Sequence, residues 1–172
     1  MSEIDTTFLS YAEKAADSIS SYSDEVFTLK LIAVEYAKSG QTQKALLIFD
    51  KAVNVAGSIS DDSKKAWALS DIAEELAKAG QTQKALQIFN DALNVAGSIS
   101  DDSEKAEALI NIASELAKKG QKQKALQIFD DALNVAGSIS NDSSKAWALK
   151  EIAVELAKAG HTQKALLIFD DS

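Results

Sequence analysis

An all-α solenoid of antiparallel helix pairs is the fold this sequence predicts, and three observations predict it. The chain repeats itself: residues 41–80, 81–120 and 121–160 each run from Gln-x-Gln-Lys-Ala-Leu to a terminal Gly, with 30 of 40 positions identical between the first two copies and 31 of 40 between the last two. Within each copy the apolar residues recur at helical spacing. No proline interrupts any of the 172 residues, so nothing removes a helix-interior hydrogen bond. A fixed period near this length marks units that bury their apolar sides by stacking on neighbours. Residues 1–40 are a divergent copy in the same register, and 161–172 open another.

The elements follow from one unit, 61–100. Ala66, Leu69, Ile72, Ala73, Leu76 and Ala77 form one face of a first helix. Asp61 and Asp62 precede it, suited to cap free N–H groups and to oppose the positive end of the helix dipole. Lys78 falls in the last turn and Gly80 just past it, as a helix C-terminus prefers. Gln81-Thr82 opens a second helix with the stripe Ala85, Phe89, Ala92, Ala96 and Ile99. That period runs on through Gly97, which predicts a helix continuing to about Ile99 rather than stopping at the glycine. Small alanines let the helices approach closely, while Phe49, Phe89 and Phe129 fill the gaps.

Composition excludes several functions. The formal charge is −8, and all 18 basic residues are lysine. An acidic chain without arginine is a poor match to nucleic acid, where phosphate contacts dominate affinity. The absence of cysteine removes disulfides, thiolate zinc sites and a cysteine nucleophile. No apolar run approaches the roughly 20 residues of a membrane span. Met1-Ser2-Glu3-Ile4-Asp5 is acidic, unlike the basic start of a secretory signal. The expectation is a cytoplasmic protein with no nucleic-acid or membrane partner.

Ala85-x-x-x-Phe89 followed by Ala92 resembles the second-helix signature of tetratricopeptide repeats. Leu69-x-x-Ile72-Ala73-x-x-Leu76 is similar to that family's first-helix pattern, with Leu, Ile and Ala in place of Trp, Leu and Gly. Leu29-x-x-Ile32-Ala33-x-x-Tyr36 keeps the family's tyrosine, and Gly40, Gly80, Gly120 and Gly160 occupy its turn glycine. The period departs from the family's usual ~34 residues, with six extra residues between Gly97 and Glu104, and Gly57, Gly97 and Gly137 replace the closing proline. Armadillo and HEAT repeats have similar periods and are the structural runner-up. The resemblance implies a right-handed, tetratricopeptide-like superhelix whose first helices line a concave groove for peptide ligands. It says little about which partner, because fold and function are loosely tied.

The copies differ where stacking does not constrain them. Four columns hold a different residue in each full copy: Lys64/Glu104/Ser144, Ser70/Ile110/Lys150, Asp71/Asn111/Glu151 and Glu74/Ser114/Val154. A fifth changes drastically, Trp67/Glu107/Trp147. All lie on the first helix within an arc of about 120°, away from the apolar stripe. One explanation is a solvated face free to drift. The residue types argue for another, since such a face should not carry tryptophans and aliphatics. The expected peptide groove is lined by Phe27, Lys30 and Val34, then Trp67, Ser70 and Glu74, then Glu107, Ile110 and Ser114, then Trp147, Lys150 and Val154. The tryptophans would anchor, and Lys30 and Lys150 would meet ligand carboxylates. Asn111 with Lys30 and Lys150 is a fragment of the set that the family's carboxylate-binding variety uses, too little to imply recognition of a peptide C-terminus. Lys38, Lys78, Lys118 and Lys158 form an invariant column that offsets helix C-terminal dipoles or, alternatively, attracts acidic peptides.

No catalytic constellation is present, and the chain is read as a non-enzyme without metal or cofactor. His161, the single histidine, replaces a turn glutamine and is expected as an incidental surface residue. Asp61-Asp62, Asp101-Asp102 and Asn141-Asp142 lack the ligand pattern of a calcium loop and read as caps. The whole of 1–172 is expected as one array: a capping helix over 1–20, then helix-pair repeats 21–60, 61–100, 101–140 and a truncated 141–172. Its expected role is a non-catalytic protein–protein interaction scaffold holding a peptide or helix. The alternatives are a homo-oligomer stacking head to tail through its ends and an engineered scaffold without natural ligand.

Overall fold

The computed structural model describes residues 6–170, which contain nine α-helices and no strand among the described residues. In chain order they are α1 (Thr6–Ala16), α2 (Tyr22–Lys38), α3 (Thr42–Gly57), α4 (Asp62–Lys78), α5 (Thr82–Ser98), α6 (Asp102–Lys118), α7 (Lys122–Ser138), α8 (Asp142–Lys158) and α9 (Thr162–Asp170). The chain divides into two compact units, Met1–Asp91 and Ala92–Ser172, with the boundary inside α5. In the first unit, α2 pairs with α3, α1 packs on α2, and α4 rests on both α2 and α3. In the second, α6 pairs with α7, α8 rests on both, and α9 pairs with α8. No helix among the described residues is long and apolar enough to cross a membrane.

The helix starts are fixed by side chains. Asp61, in extended conformation, accepts a hydrogen bond from the Lys64 N–H at 2.9 Å, so it is the cap while Asp62 occupies the first turn. Asp101 and Asn141 do the same for the N–H groups of Glu104 and Ser144, both at 2.9 Å. The ends of the first helices are glycine-dependent. At the end of α4 the Gly80 N–H donates to Ala77 O at 3.1 Å and the Gln81 N–H to Leu76 O at 2.8 Å. This reciprocal pair requires a left-handed residue, and Gly80 has φ +79°. Gly97 differs: α5 runs through it to Ser98, one residue short of the expected end, and the space around it is open. The two glycines should therefore respond oppositely to alanine. Gly80→Ala is expected to cost about 1–2 kcal/mol of backbone strain. Gly97→Ala is expected to stabilise by roughly 0.5 kcal/mol, by reducing unfolded-state freedom. Urea melts of the two variants check the signs.

Each first helix buries a leucine or isoleucine ladder: Leu29, Ile72, Leu76, Ile112, Leu116, Ile152 and Leu156 are fully buried. Each complete second helix buries a phenylalanine between alanines. Phe49, Phe89 and Phe129 have no exposed surface, and neither do Ala52, Ala56, Ala92, Ala96, Ala132 and Ala136. Outside this core, second helices are linked by ion pairs 34 residues apart in sequence, Lys84 to Asp50 at 2.5 Å in the first unit and Lys164 to Asp130 in the second. These are partly exposed and worth about 0–1 kcal/mol each.

The N-terminal helix is shorter than its apolar period implies. It ends at Ala16, short of the expected capping helix over 1–20, because the Ser18 hydroxyl donates to Ala15 O at 2.7 Å and turns the chain; residues 1–5 lie outside the described residues. Leu9 and Ala16 are buried, while Ala12 and Ile19 are half-buried. The helix is tied to α2 by the Tyr36 hydroxyl, which donates to Glu13 Oε1 at 2.5 Å. Burial, then the hydrogen bond and charge of Glu13, push the Tyr36 phenol up to about 12. A pKa raised in the folded state gives stability that is complete below the unfolded value of about 10 and is lost as pH rises through the folded value. The melting temperature should therefore fall between pH 10 and 12. Tyr36→Phe should reduce that slope and lower stability at pH 7 by about 1.5–3 kcal/mol, the worth of a hydrogen bond to a charged group.

Candidate functional site

In the first unit Phe8 and Tyr11 are exposed on α1, and Tyr22, Phe27 and Trp67 are exposed in the N-terminal halves of α2 and α4. Trp67 directly follows Ala66, which is fully buried, and so is turned off the core stripe; it is 59% exposed. Phe27 follows buried Val26 in the same way and is 50% exposed. Together they line a cleft of about 160 Å³ with Ser23, Lys64, Ala68 and Asp71. A charge pair lies beside it. Lys30 is buried, its ammonium 2.6 Å from Asp71 Oδ2 and 4.8 Å from the centre of the Phe27 ring. The expectation that Lys30 meets a ligand carboxylate is thereby corrected: the carboxylate it meets is the protein's own.

The other residues expected in this groove segment are placed differently. Ser70 is buried, and its hydroxyl donates to Ala66 O at 2.9 Å. Val34 is half-buried and lines a separate cavity of about 430 Å³ toward the C-terminal end of α2, with Leu46, Phe49, Lys38, Glu75 and Lys78. Glu74 is half-buried and 2.7 Å from Lys78. Carboxylate oxygens of Asp71, Glu74 and Glu75 lie within 4.8 Å of one another. Lys30 answers Asp71, and Lys78 answers Glu74 and Glu75. The glutamate hydrogen bonds raise the Lys78 ammonium above its ordinary range. Each carboxylate of the cluster thus has a lysine partner within the protein, Lys78 being shared by the two glutamates.

In the second unit α6 and α8 form the corresponding surface. Trp147 is 44% exposed. It lines an open cleft of about 360 Å³ with Glu104, Glu107 and the serines Ser103, Ser143 and Ser144. Ile110 and Ser114 are buried, and Val154 is half-buried. Lys150 is exposed, with its ammonium 3.4 Å from Glu151. Burial acts to raise the Glu155 carboxyl, but the Lys158 hydrogen bond, the nearby Ser114 hydroxyl and the charges of Lys158 and Lys118 outweigh it, so the group sits below its ordinary value. The Ser114 hydroxyl faces that carboxylate without a hydrogen bond of ordinary geometry.

Of the twelve residues set in the groove, the structure thus exposes Phe27, Trp67, Glu107, Trp147 and Lys150 and buries Lys30, Ser70, Ile110 and Ser114. The reason is that a first helix in a stack has two covered sides. The apolar stripe faces its paired second helix, and a flank faces the next first helix, as α4 meets α2 and α8 meets α6. A wheel drawn for one helix identifies the first side and misses the second. Three of the cleft serines escape a sequence reading for a different reason: Ser23, Ser103 and Ser143 belong to an invariant column, and a search of variable columns passes over them. The lysine column is also engaged. Lys38, Lys118 and Lys158 sit 2.7, 2.5 and 2.6 Å from Glu35, Glu115 and Glu155 one turn back. His161 is half-buried rather than freely exposed, because its N–H closes the α8 end on Leu156 O at 2.8 Å.

With that architecture in view, the relatives of the chain are informative. Tetratricopeptide-repeat family models match residues 24–98 and 106–138. The chain belongs to the tetratricopeptide-repeat family. Among solved structures it is similar to Ton1535 from Thermococcus onnurineus NA1, with TM-score 0.76 and 26% identity over 98% of this chain and 51% of that one. It therefore spans about half the length of Ton1535. It is also similar in fold to a variant of a Podosopora anserina protein described as a kinesin light chain with nearly identical TPR-like repeats, with TM-score 0.55 and 16% identity over 89% of this chain and 75% of that one. Comparison with curated proteins returns no match.

Proposed function

We propose that the chain is a non-catalytic protein-interaction module that holds a peptide or partner helix against its first helices, with Trp67 the anchor in the first unit and Trp147 the anchor in the second. The observation that carries this reading is the exposure of both tryptophans at repeat-equivalent positions, each beside a cleft. Leaving a large indole in water gives up burial worth about 1.5–3 kcal/mol for a large apolar side chain. Half-exposed aromatics in clefts suit hot spots, which favour tryptophan. The tetratricopeptide-repeat family supports the class of function, since these repeats mediate protein–protein contacts generally.

The test is selection of a random nonapeptide display library on the wild-type chain, counter-selected with the Trp67→Ala/Trp147→Ala double variant. Enrichment of peptides that need the tryptophans supports the module. Failure to enrich any, or enrichment indifferent to both indoles, overturns it.

A further inference from the structure

We infer that the cleft between α6 and α8 recognises an arginine side chain of the bound peptide; this rests on the peptide-binding reading above and names the chemistry of one of its subsites. The argument is a comparison of two equivalent places in the fold. In the first unit the cleft between α2 and α4 is lined by the rings of Phe27 and Trp67, by Lys64 and by Asp71, and a second cation, Lys30, lies beside Phe27 and Asp71. The Lys30 ammonium lies 4.8 Å from the Phe27 ring centre and 2.6 Å from Asp71. In the second unit the position of Lys30 is held by Ile110, which is buried and apolar, and the position of Phe27 is held by Glu107, which is exposed. The aromatic is now Trp147. The ring and a carboxylate remain, and the residues lining the cleft include no lysine.

What this cleft offers is complementary to a guanidinium. Trp147, which lines the cleft, is the aromatic side chain that binds cations best. Glu107 supplies two carboxylate oxygens for the parallel hydrogen bonds of a guanidinium fork. Ser103, Ser143 and Ser144 add hydroxyl acceptors for its remaining N–H groups. An ammonium has three donors and no planar face to stack, so it uses less of this set. The volume of about 360 Å³ falls within the ~300–1,000 Å³ of small-ligand sites. The net charge of −8 attracts a basic segment at long range. A second copy of the chain cannot supply the group, because its 18 basic residues are all lysine.

The nonapeptides selected on wild-type chain provide the experiment. Those lost on Trp147→Ala alone are expected to be enriched in arginine, and to bind Glu107→Gln roughly 10-fold or more weakly. Their affinity for wild type should fall with added salt. In a Trp67→Phe background, Trp147 is the sole tryptophan, and its fluorescence should respond to an arginine-containing hit and much less to the same peptide with lysine there. Trp147-dependent peptides without enriched arginine, or an affinity unchanged by Glu107→Gln, would overturn the arginine assignment while leaving the module standing. Absence of any tryptophan-dependent peptide would overturn both. Circular dichroism of each variant separates lost binding from lost folding, and Glu107→Gln, exposed and conservative, keeps the test readable if Trp147→Ala unfolds.

Discussion

Phe129→Ala is expected to cost about 3–5 kcal/mol, the usual penalty for removing a large side chain from a closed core. Phe129 has no exposed surface, and α7, which carries it, packs on both α6 and α8. The cavity left behind cannot be filled by its neighbours on the same helix, since Ala125, Ala132 and Ala136 are small and already buried. Against a typical total of about 5–15 kcal/mol this is a large share. At about 2–4 °C per kcal/mol for a chain of this size, it lowers the melting temperature by roughly 6–20 °C. Phe49→Ala should behave similarly, because Phe49 fills the same position on α3 and is equally buried. A thermal melt in which Phe129→Ala matches wild type would contradict the packing described.

The tryptophan double variant should behave in the opposite manner. Trp67 and Trp147 are 59% and 44% exposed, so truncating both should change stability by only about 1 kcal/mol or less, as for surface substitutions away from core and caps. Its effect on affinity should be large. A hot-spot tryptophan contributes about 2 kcal/mol or more on truncation, which is roughly 30-fold per site. Titration calorimetry with a selected peptide, beside a melt of the same sample, gives both quantities. A solvated face that merely drifts would show little change in either.

These contrasting pairs also indicate how far the sequence can be read. The helices and caps were legible because each rests on local chemistry: Asp61 accepting from the N–H of Lys64, Gly80 in a left-handed turn, and the Phe89 stripe at helical spacing. The length of α1 was not, because the competing hydrogen bond from Ser18 to Ala15 is a local choice that apolar periodicity does not register. The site was partly legible. The exposed tryptophans followed from their place beside, rather than on, the apolar stripe. The burial of Lys30 did not, because its partner Asp71 lies 41 positions away on the adjacent first helix. Contacts between repeats decide which part of a variable face meets solvent, and a single-helix projection contains no such contacts.

The measurement that most directly tests peptide binding at the first helices is a nuclear magnetic resonance titration of the labelled wild-type chain with a selected peptide. Its two tryptophans give two indole N–H signals. The account predicts that these signals move at saturation, together with amides of the first helices near the clefts, while amides of the solvent-facing second-helix residues stay in place. Indole signals that do not move, with the shifts concentrated on the second helices, would contradict it.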